Sequence, residues 1–263
     1  MSDEVTNIFA SFFDKIKANT HSLLLTDYDG TLAPHQIDRL KALPPQEIFD
    51  KLRILNSCPR VDVIIISGRS LVELKKMLNI NSKLVIYGSY GMERIQGNSK
   101  IERAVITHKQ KLGLQQIENE LAKIIDAKNL EIKPLSIALH WRGLHEGEQT
   151  QLKRMFQQVV EKVAVNADLA FLPFNGGLEI MPRGRAKSDA IHEIISQYNS
   201  EIPLAYLGDD YSDEAAFEAI GMRGLKILVS DTDRSTLADV IIKPGSSVVA
   251  FFDRWIKAAQ CEP

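Results

Sequence analysis

Two aspartates lie two residues apart at the point where an apolar run ends. Asp27 and Asp29 follow the run SLLLT, and Gly30 completes an Asp-Gly turn. Such a run predicts a buried strand, and open α/β sheets bind ligands at the carboxyl ends of their strands. There one carboxylate could attack phosphorus while the other protonates the leaving oxygen and then activates water. The alternative is a strand that ends in an ordinary turn, with both acids in solvent.

A second apolar run, VDVIIIS, ends in residues that could bind phosphate. Ser67 offers a hydroxyl, Gly68 allows close approach of the backbone, and a helix is predicted to begin just beyond Arg69. Hydroxyls and backbone N–H groups at the start of a helix bind phosphate. A serine cap beside a turn glycine explains the same residues equally well.

A lysine and an acidic cluster come later in the chain. Lys187 opens a predicted helix, where a cation opposes the helix dipole unless an anion lies nearby. It could balance the charge of a transferring phosphoryl group, although most lysines are simply exposed. Four acids follow the buried run PLAYLG: Asp209, Asp210, Asp213 and Glu214. A hard divalent cation would relieve their repulsion, while Asp213 and Glu214 also suit the first turn of the next helix.

A parallel sheet would bring these remote segments together. Residues 22–92 and 203–242 alternate between apolar strand runs and amphipathic helices, which predicts a parallel α/β sheet with helices on both faces. Residues 101–182 instead follow the order helix, two strands, helix, two strands. The predicted fold is therefore α/β, with a Rossmann-like core formed by residues 1–100 and 183–263 and an inserted αββαββ cap at 101–182.

One predicted cap strand, SIALHWR, alternates apolar and polar residues. Its apolar face, which should pack on the cap helices, comprises Ile137, Leu139 and Trp141. His140 and Arg142 lie on the other face, and Glu179 of the run GLEIMP joins them. This polar face could bind a polar ligand, or it could be an ordinary solvated sheet face.

Composition and charge indicate a globular protein with a sizeable core. Hydrophobic residues make up 44% of the chain, charged residues 25%, and the formal net charge is −2. A charge this close to zero gives no general reason to expect nucleic acid or a membrane as partner. Cys58 and Cys261 lack metal-ligand spacing, and we expect free thiols in a reducing compartment.

The first twenty residues predict an amphipathic helix. The apolar residues recur at helical spacing: Ile8, Phe9, Phe12, Phe13 and Ile16. Because the opposite face is not basic, we expect this helix to dock on the core rather than on a membrane. The run also lacks the basic region and the cleavage site of a signal peptide, so we expect a cytoplasmic protein that keeps it.

The four chemical segments resemble, in order, the motifs of the haloacid dehalogenase superfamily. They are DYDGT, SGR, a helix-opening lysine and GDDYSDE, and the predicted insertion falls where one branch of that superfamily carries its cap. The resemblance implies a nucleophile at Asp27, a general acid and base at Asp29, and phosphate contacts from Ser67, Gly68 and Lys187. It implies Mg²⁺ as the cofactor, with ligands drawn from Asp27, Asp29, Asp209 and Asp213.

Three further segments, GSYGMER, SIALHWR and GLEIMPRGRAKSDAI, look like those of trehalose-6-phosphate phosphatases. The substrate-binding residues that we expect from this resemblance are Arg69, Glu93, His140, Arg142 and Glu179. The chain departs from the family pattern at a few positions. Tyr90 replaces a histidine, Met181 replaces a basic residue, and Ala186 and Ser188 replace Asn and Gly around the lysine.

The expected function is hydrolysis of trehalose 6-phosphate through an aspartyl-phosphate intermediate. The departures leave room for a related substrate such as glucosylglycerol phosphate. Two further functions are compatible with these residues, namely a sugar-phosphate sensor without turnover and phosphoryl transfer between sugars. The expected partner is a small sugar phosphate, and the expected assembly is a monomer or a weak homodimer.

Overall fold

The computed structural model describes residues 3–78 and 83–261. Its helices are α1 (Asp3–Ala18), α2 (Gln46–Ser57), α3 (Leu71–Leu78), α4 (His108–Leu121), α5 (Glu146–Ala167), α6 (Lys187–Ile195), α7 (Glu214–Ile220) and α8 (Ser246–Ala259). Its strands are β1 (Ser22–Thr26), β2 (Val61–Ile66), β3 (Val85–Gly88), β4 (Glu93–Gln96), β5 (Glu102–Arg103), β6 (Leu130–Ile132), β7 (Ile137–His140), β8 (Leu169–Phe174), β9 (Gly177–Pro182), β10 (Leu204–Gly208), β11 (Leu225–Val229) and β12 (Val240–Ile242).

The described residues form two compact units. One runs up to Glu102 and resumes at Ala186, and the other is Arg103–Arg185. The main sheet has the strand order β12-β11-β10-β1-β2-β3-β4-β5. Strands β12 to β3 of this order are parallel, and β4 runs antiparallel to β3. The predicted α/β class is confirmed, whereas the hairpin partner β4 was not predicted.

Helices cover both faces of the main sheet, as the apolar strand runs predict. Leu24 of β1 packs into a core shared with α1, α2, α3 and α8, while Leu23 and Leu25 pack on the other face against α6 and α7. All three leucines are fully buried. A strand with both faces covered reads as a continuous apolar run, and the three leucines at the centre of β1 form such a run.

The amphipathic helix at the start of the chain docks on the core, as predicted. Phe9, Phe12 and Phe13 of α1 pack against Phe251 of α8, and the Phe12 ring lies edge-on to Trp255 with centroids 5.3 Å apart. The C-terminal partner of this cluster, α8, was not predicted. In the described ranges, no helix combines the length and apolar character needed to span a bilayer.

The second unit packs α4 and α5 against a four-stranded sheet of order β6-β7-β9-β8. All strand pairs in this sheet are antiparallel. Ile137 and Leu139 of β7 are buried in its core, and Trp141 packs on the edge of that core. The predicted apolar face of this strand is therefore confirmed.

The expectation of free thiols was wrong. Cys58 and Cys261 form a disulfide across a sequence separation of 203 residues, with their Cα atoms 5.3 Å apart. Cys58 caps the C-terminal end of α2, and Cys261 lies just beyond α8. Because α2 and α8 pack side by side, they bring the two sulfurs together, and sequence spacing carries no sign of that contact. The bond also removes the argument for a reducing compartment.

Reduction of this disulfide should lower the free energy of unfolding by about 2–5 kcal/mol, since the unfolded chain regains the entropy of a long loop. Urea denaturation with and without dithiothreitol measures the change. The Cys58→Ser/Cys261→Ser double variant is the control, and its urea midpoint should match that of the reduced wild type and ignore dithiothreitol. An unchanged wild-type midpoint on reduction would contradict the expectation.

Candidate active site

The carboxyl ends of three neighbouring strands carry most of the predicted chemical residues. Strands β10, β1 and β2 are adjacent and parallel. Asp27 leaves the end of β1, Ser67 leaves the end of β2, and Asp209 leaves the end of β10. Lys187, the first residue of α6, joins them. Four segments that are remote in the chain thus meet at one edge of the sheet.

A buried lysine links two of these segments. The Lys187 Nζ lies 3.0 Å from Asp27 Oδ2 and 2.7 Å from Asp213 Oδ1. Lys187 is only 3% exposed. Burial alone lowers the pKa of Lys187, but the adjacent Asp213 and Asp27 carboxylates outweigh it and raise the pKa above its ordinary value. The ammonium group therefore stays charged at neutral pH.

Asp213 fixes the acidic loop, residues 209–213, which follows β10. Its Oδ2 accepts hydrogen bonds from the backbone N–H groups of Asp209 and Asp210, both at 3.0 Å. Its Oδ1 accepts from the Tyr206 hydroxyl at 2.5 Å as well as from Lys187. A Cβ on Gly208 would lie 2.5 Å from Asp213 Cγ, so the loop can fold this tightly only over glycine. Four donors therefore occupy both oxygens of this fully buried carboxylate.

Three carboxylates could share one cation. Asp27, Asp209 and Asp213 each offer an oxygen within 4.8 Å of the others. Burial raises the pKa of Asp27, and although Lys187 opposes that change, Asp213, Asp209 and Asp29 reinforce it. Crowded, desolvated carboxylates of this kind favour either a proton or a metal ion. An all-oxygen donor set suits a hard divalent cation.

Asp209 is the member of the cluster that lacks a lysine or arginine partner in the described part of the chain. Burial raises its pKa to about 6, and a contact of 2.9 Å with His35 Nε2 opposes that shift. Gly30 has φ +73°, and a Cβ at this position would overlap the Asp209 carboxylate. The turn after Asp29 can therefore approach Asp209 only because residue 30 is glycine.

Asp29 is held by an arginine that we expected to bind substrate. Arg69 donates from Nε and Nη2 to the two carboxylate oxygens of Asp29, each at 2.7 Å. The same guanidinium donates to the main-chain carbonyl of Arg39 at 2.8 Å and lies 3.7 Å from Glu73. A bidentate ion pair of this kind fixes the orientation of the Asp29 carboxylate.

The predicted phosphate loop is bound to the turn after β3. The Ser67 hydroxyl accepts a hydrogen bond from Arg69 N at 3.1 Å, and the Ser67 carbonyl accepts from Tyr90 N at 2.9 Å. Ser89 and Tyr90 both have left-handed backbone, at φ 49° and 56°. A Cβ on Gly68 would lie 2.6 Å from Tyr90 Cζ, so only glycine leaves room for this ring. Such strain persists where the surrounding contacts enforce it.

Glu93, another predicted substrate-binding residue, is fully buried in the core unit. Its Oε2 accepts hydrogen bonds from Leu71 N and from the Ser89 hydroxyl, both at 3.0 Å. The carboxylate therefore ties the left-handed turn to the start of α3. Glu93 therefore stabilises the turn at Ser89 and Tyr90, which in turn is hydrogen-bonded to Ser67.

The other three predicted substrate-binding residues belong to the second unit. His140 Nε2 lies 2.8 Å from Glu131 Oε2, and Arg142 donates to the main-chain carbonyl of Asn175. Glu179 is 1% exposed and accepts from Lys133 Nζ at 2.8 Å and from the Ser136 hydroxyl. His140 and Glu179 thus each have a charged partner within the second unit.

Sequence reasoning missed several members of these clusters. Glu131 and Lys133 stand two residues apart on β6 and just after it, so strand alternation could have put them on one face with His140. Strand alternation in β10 could likewise have assigned Tyr206 to one face of its strand. His35 had no such signal, because it lies in a loop where no period applies.

Comparisons with known proteins agree on one family. A family model described as trehalose-phosphatase matches residues 25–240. The trehalose-6-phosphate phosphatase of Escherichia coli (strain K12) is 28% identical over 205 residues, which cover 75% of this chain and 73% of that protein. A probable alpha,alpha-trehalose-phosphate synthase of Arabidopsis thaliana is 28% identical over 227 residues, covering 83% of this chain and 26% of that protein. The chain therefore spans about a quarter of the length of that relative.

A solved structure agrees on the fold. The C-terminal domain of the Candida albicans trehalose-6-phosphate phosphatase superposes with a TM-score of 0.77, covers 97% of each chain and is 18% identical in sequence.

The raised pKa of Asp209 predicts how a cation should affect stability. The folded state favours the protonated carboxyl, so this contribution is complete below pH 3.8 and is lost as the pH rises through about 6. The loss is on the order of 3 kcal/mol for a shift of this size. With Mg²⁺ as the probe, we expect the gain in melting temperature over a chelator to be larger at pH 7.5 than at pH 5.

The Asp209→Asn variant is the control for this experiment. Without an ionisable group at position 209, its melting temperature in chelator should fall less between pH 5 and pH 7.5, and Mg²⁺ should raise it less. If Mg²⁺ raised the melting temperature of the wild type equally at both pH values, Asp209 would not be a cation ligand.

Proposed function

The chain belongs to the trehalose-phosphatase family, and from this premise we propose that it hydrolyses trehalose 6-phosphate to trehalose and phosphate. One observation carries the proposal. A buried aspartate at a strand end lies 3.0 Å from a buried lysine and beside two further carboxylates. A protein that only binds a sugar phosphate has no need to bury acids against the negative charge of its ligand. An enzyme needs one of them as nucleophile and others to hold a cation.

In the proposed first step, an oxygen of the Asp27 carboxylate attacks phosphorus in line with the sugar oxygen. The bond between phosphorus and that oxygen breaks, and Asp29 donates the proton that the leaving sugar needs. In the second step Asp29 takes a proton from water, whose oxygen attacks the phosphoryl group. Phosphate leaves, and Asp27 is restored. Arg69 orients the Asp29 carboxyl group before substrate arrives, and one of its two hydrogen bonds to Asp29 must break before Asp29 carries the proton that it donates.

We propose Mg²⁺ as the cation, bound by the side chains of Asp27 and Asp209 and by the main-chain carbonyl of Asp29. Bound there, it would neutralise charge on the transferring phosphoryl group. Asp213 has hydrogen-bond donors on both oxygens, which supports a role in holding Lys187 and the acidic loop. Direct ligation by Asp213 would have to displace some of these donors.

Ser67, Gly68 and Lys187 are the proposed phosphate-binding groups. Lys187 carries a charge on the Asp27 side of the cluster, and Ser67 and Gly68 stand together at the end of β2, next to the strand that ends at Asp27. Lys187 is held by two carboxylates, so its position is set before any phosphate binds. This preorganisation is what electrostatic catalysis requires.

We propose His140, Arg142 and Glu179 as the residues that recognise the sugar. His140 and Glu179 are oriented by charged neighbours, Glu131 and Lys133, so the cap sheet offers a preset pattern of donors and acceptors. Arg69 and Glu93 would contribute to substrate binding indirectly, through Asp29 and through the turn at Tyr90. A related sugar phosphate is the second candidate substrate, because Tyr90 departs from the family pattern beside the phosphate loop.

Phosphate release should require both Mg²⁺ and Asp27. We expect release from trehalose 6-phosphate that stops in chelator, and a loss of at least about a thousandfold in kcat for Asp27→Asn because an amide cannot form the acyl phosphate. The folded state should persist, since asparagine has the shape of aspartate and Lys187 keeps its ion pair with Asp213. The matched control is Asp14→Asn, which removes an exposed carboxylate of α1.

The same assay separates the competing functions. Faster release from glucosylglycerol phosphate would change the substrate and keep the mechanism, and phosphate recovered on a second sugar would indicate transfer. Tight binding without release from any sugar phosphate would favour a sensor. Normal turnover by Asp27→Asn would contradict the nucleophile assignment.

The cap residues should affect the sugar more than the chemistry. We expect His140→Ala to lower kcat/KM for trehalose 6-phosphate by about tenfold to a hundredfold and to change hydrolysis of a small aryl phosphate by less than about threefold. His108→Ala is the control, because His108 is an exposed histidine at the start of α4 in the same unit. Equal losses on both substrates would contradict the assignment.

A further inference from the structure

Arg234 connects the segment between β11 and β12 to the acidic loop after β10. Its guanidinium donates through Nη1 to the carboxylate of Glu214 and through Nη2 to the main-chain carbonyl of Asp210, at 3.2 Å for the latter. The same group lies 4.6 Å from the centroid of the Tyr211 ring. Only 15% of the arginine side chain is exposed. One side chain therefore contacts Asp210 and Tyr211 of the loop that carries Asp209, and also Glu214, the first residue of α7.

The segment of Arg234 holds the loop by further bonds. The Glu214 carboxylate also accepts from the Thr236 hydroxyl and from the backbone N–H of Leu237, both at 2.8 Å. Glu214 is the first residue of α7 and follows Asp213 directly. The start of α7 is thus fixed by a second set of contacts besides those of Lys187.

Two cations pair with two of the acids that follow β10. Lys187 pairs with Asp213 as well as with Asp27, and Arg234 pairs with Glu214. Asp209 is left with a neighbouring carboxylate, Asp27, and with His35. Asp213 and Glu214, which fix the loop, are therefore paired with protein cations. Asp209 has no lysine or arginine partner among the described residues and lies beside Asp27 in a cluster that suits a metal ion.

We propose that Arg234 is a positioning residue for the divalent-cation site. It acts through the Asp210 carbonyl and Glu214, which fix the loop so that Asp209 meets Asp27 at the right distance. The inference rests on the proposed metal-dependent phosphatase function. It extends that function to a residue outside the four motifs, and it assigns Arg234 no contact with substrate.

The chain provides a matched control arginine. Arg223 also donates to two main-chain carbonyls, those of Ile202 at 2.7 Å and Asn199 at 2.6 Å. These contacts lie just before β10 and β11, at the end of the sheet opposite to the acidic cluster. Loss of Arg223 should cost stability in a comparable way without reaching the acidic loop.

Calorimetric titration of the substrate-free protein with Mg²⁺ tests the inference. We expect Arg234→Ala to raise the dissociation constant for Mg²⁺ by about tenfold or more, as is typical when a group that orients a metal ligand is lost. Arg223→Ala should change this constant by less than about twofold. Arg234→Lys keeps a charge for Glu214 and loses the second bond, so its affinity should lie between those of the wild type and Arg234→Ala. At saturating Mg²⁺, kcat with Arg234→Ala should stay within about threefold of the wild type.

Equal Mg²⁺ affinities of Arg234→Ala and Arg223→Ala would overturn the inference and leave the phosphatase proposal intact. If Arg234→Ala fails to fold, Arg234→Lys and Thr236→Ala decide the question, and wild-type affinity in both would overturn it. A wild-type protein that binds no Mg²⁺ would overturn the metal assignment together with the role of Arg234. A fall in kcat that excess Mg²⁺ does not restore, at unchanged Mg²⁺ affinity, would also contradict a positioning role.

Discussion

A buried lysine between two buried carboxylates is the interaction on which the site depends. Lys187 belongs to α6, Asp27 to the end of β1 and Asp213 to the loop after β10, so one ammonium group joins three elements. Buried charges are tolerated only when they are paired and hydrogen-bonded, and removing one partner leaves the others uncompensated. The two ion pairs of Lys187 are therefore also a condition for packing α6 against the sheet.

Charge balance organises the rest of the site. Arg69 holds Asp29, and Arg234 holds Glu214, each within a part of the protein where solvent has limited access. Lys187 pairs with both Asp27 and Asp213, and the cluster of Asp27, Asp209 and Asp213 is suited to a metal ion. An arrangement of this kind needs no large net charge, which agrees with the formal value of −2 for the chain.

Local sequence patterns predicted the features that depend on one element at a time. The alternation of apolar runs and amphipathic helices predicted the α/β class, and strand ends predicted the places of Asp27 and Asp209. Contacts between remote side chains have no such period, which is why the partner of Arg69, the contacts of Arg234 and the pairing of Cys58 were not predicted. Helix α8 was not predicted, although its sequence is amphipathic. The left-handed backbone at Tyr90 was not predicted either, because it depends on contacts with the loop after β2 and not on residue type.

The disulfide makes most of the chain a covalent ring. Every residue between Cys58 and Cys261 lies within it, including the whole of the Arg103–Arg185 unit, while the strand that carries Asp27 lies outside it. A protease that cuts once inside the ring opens it without releasing a fragment, so the two pieces stay attached until a reductant separates them. Nicked and intact molecules therefore differ in mass only by the water added at the cut in an oxidising medium, and the bond retains both halves of the enzyme after damage.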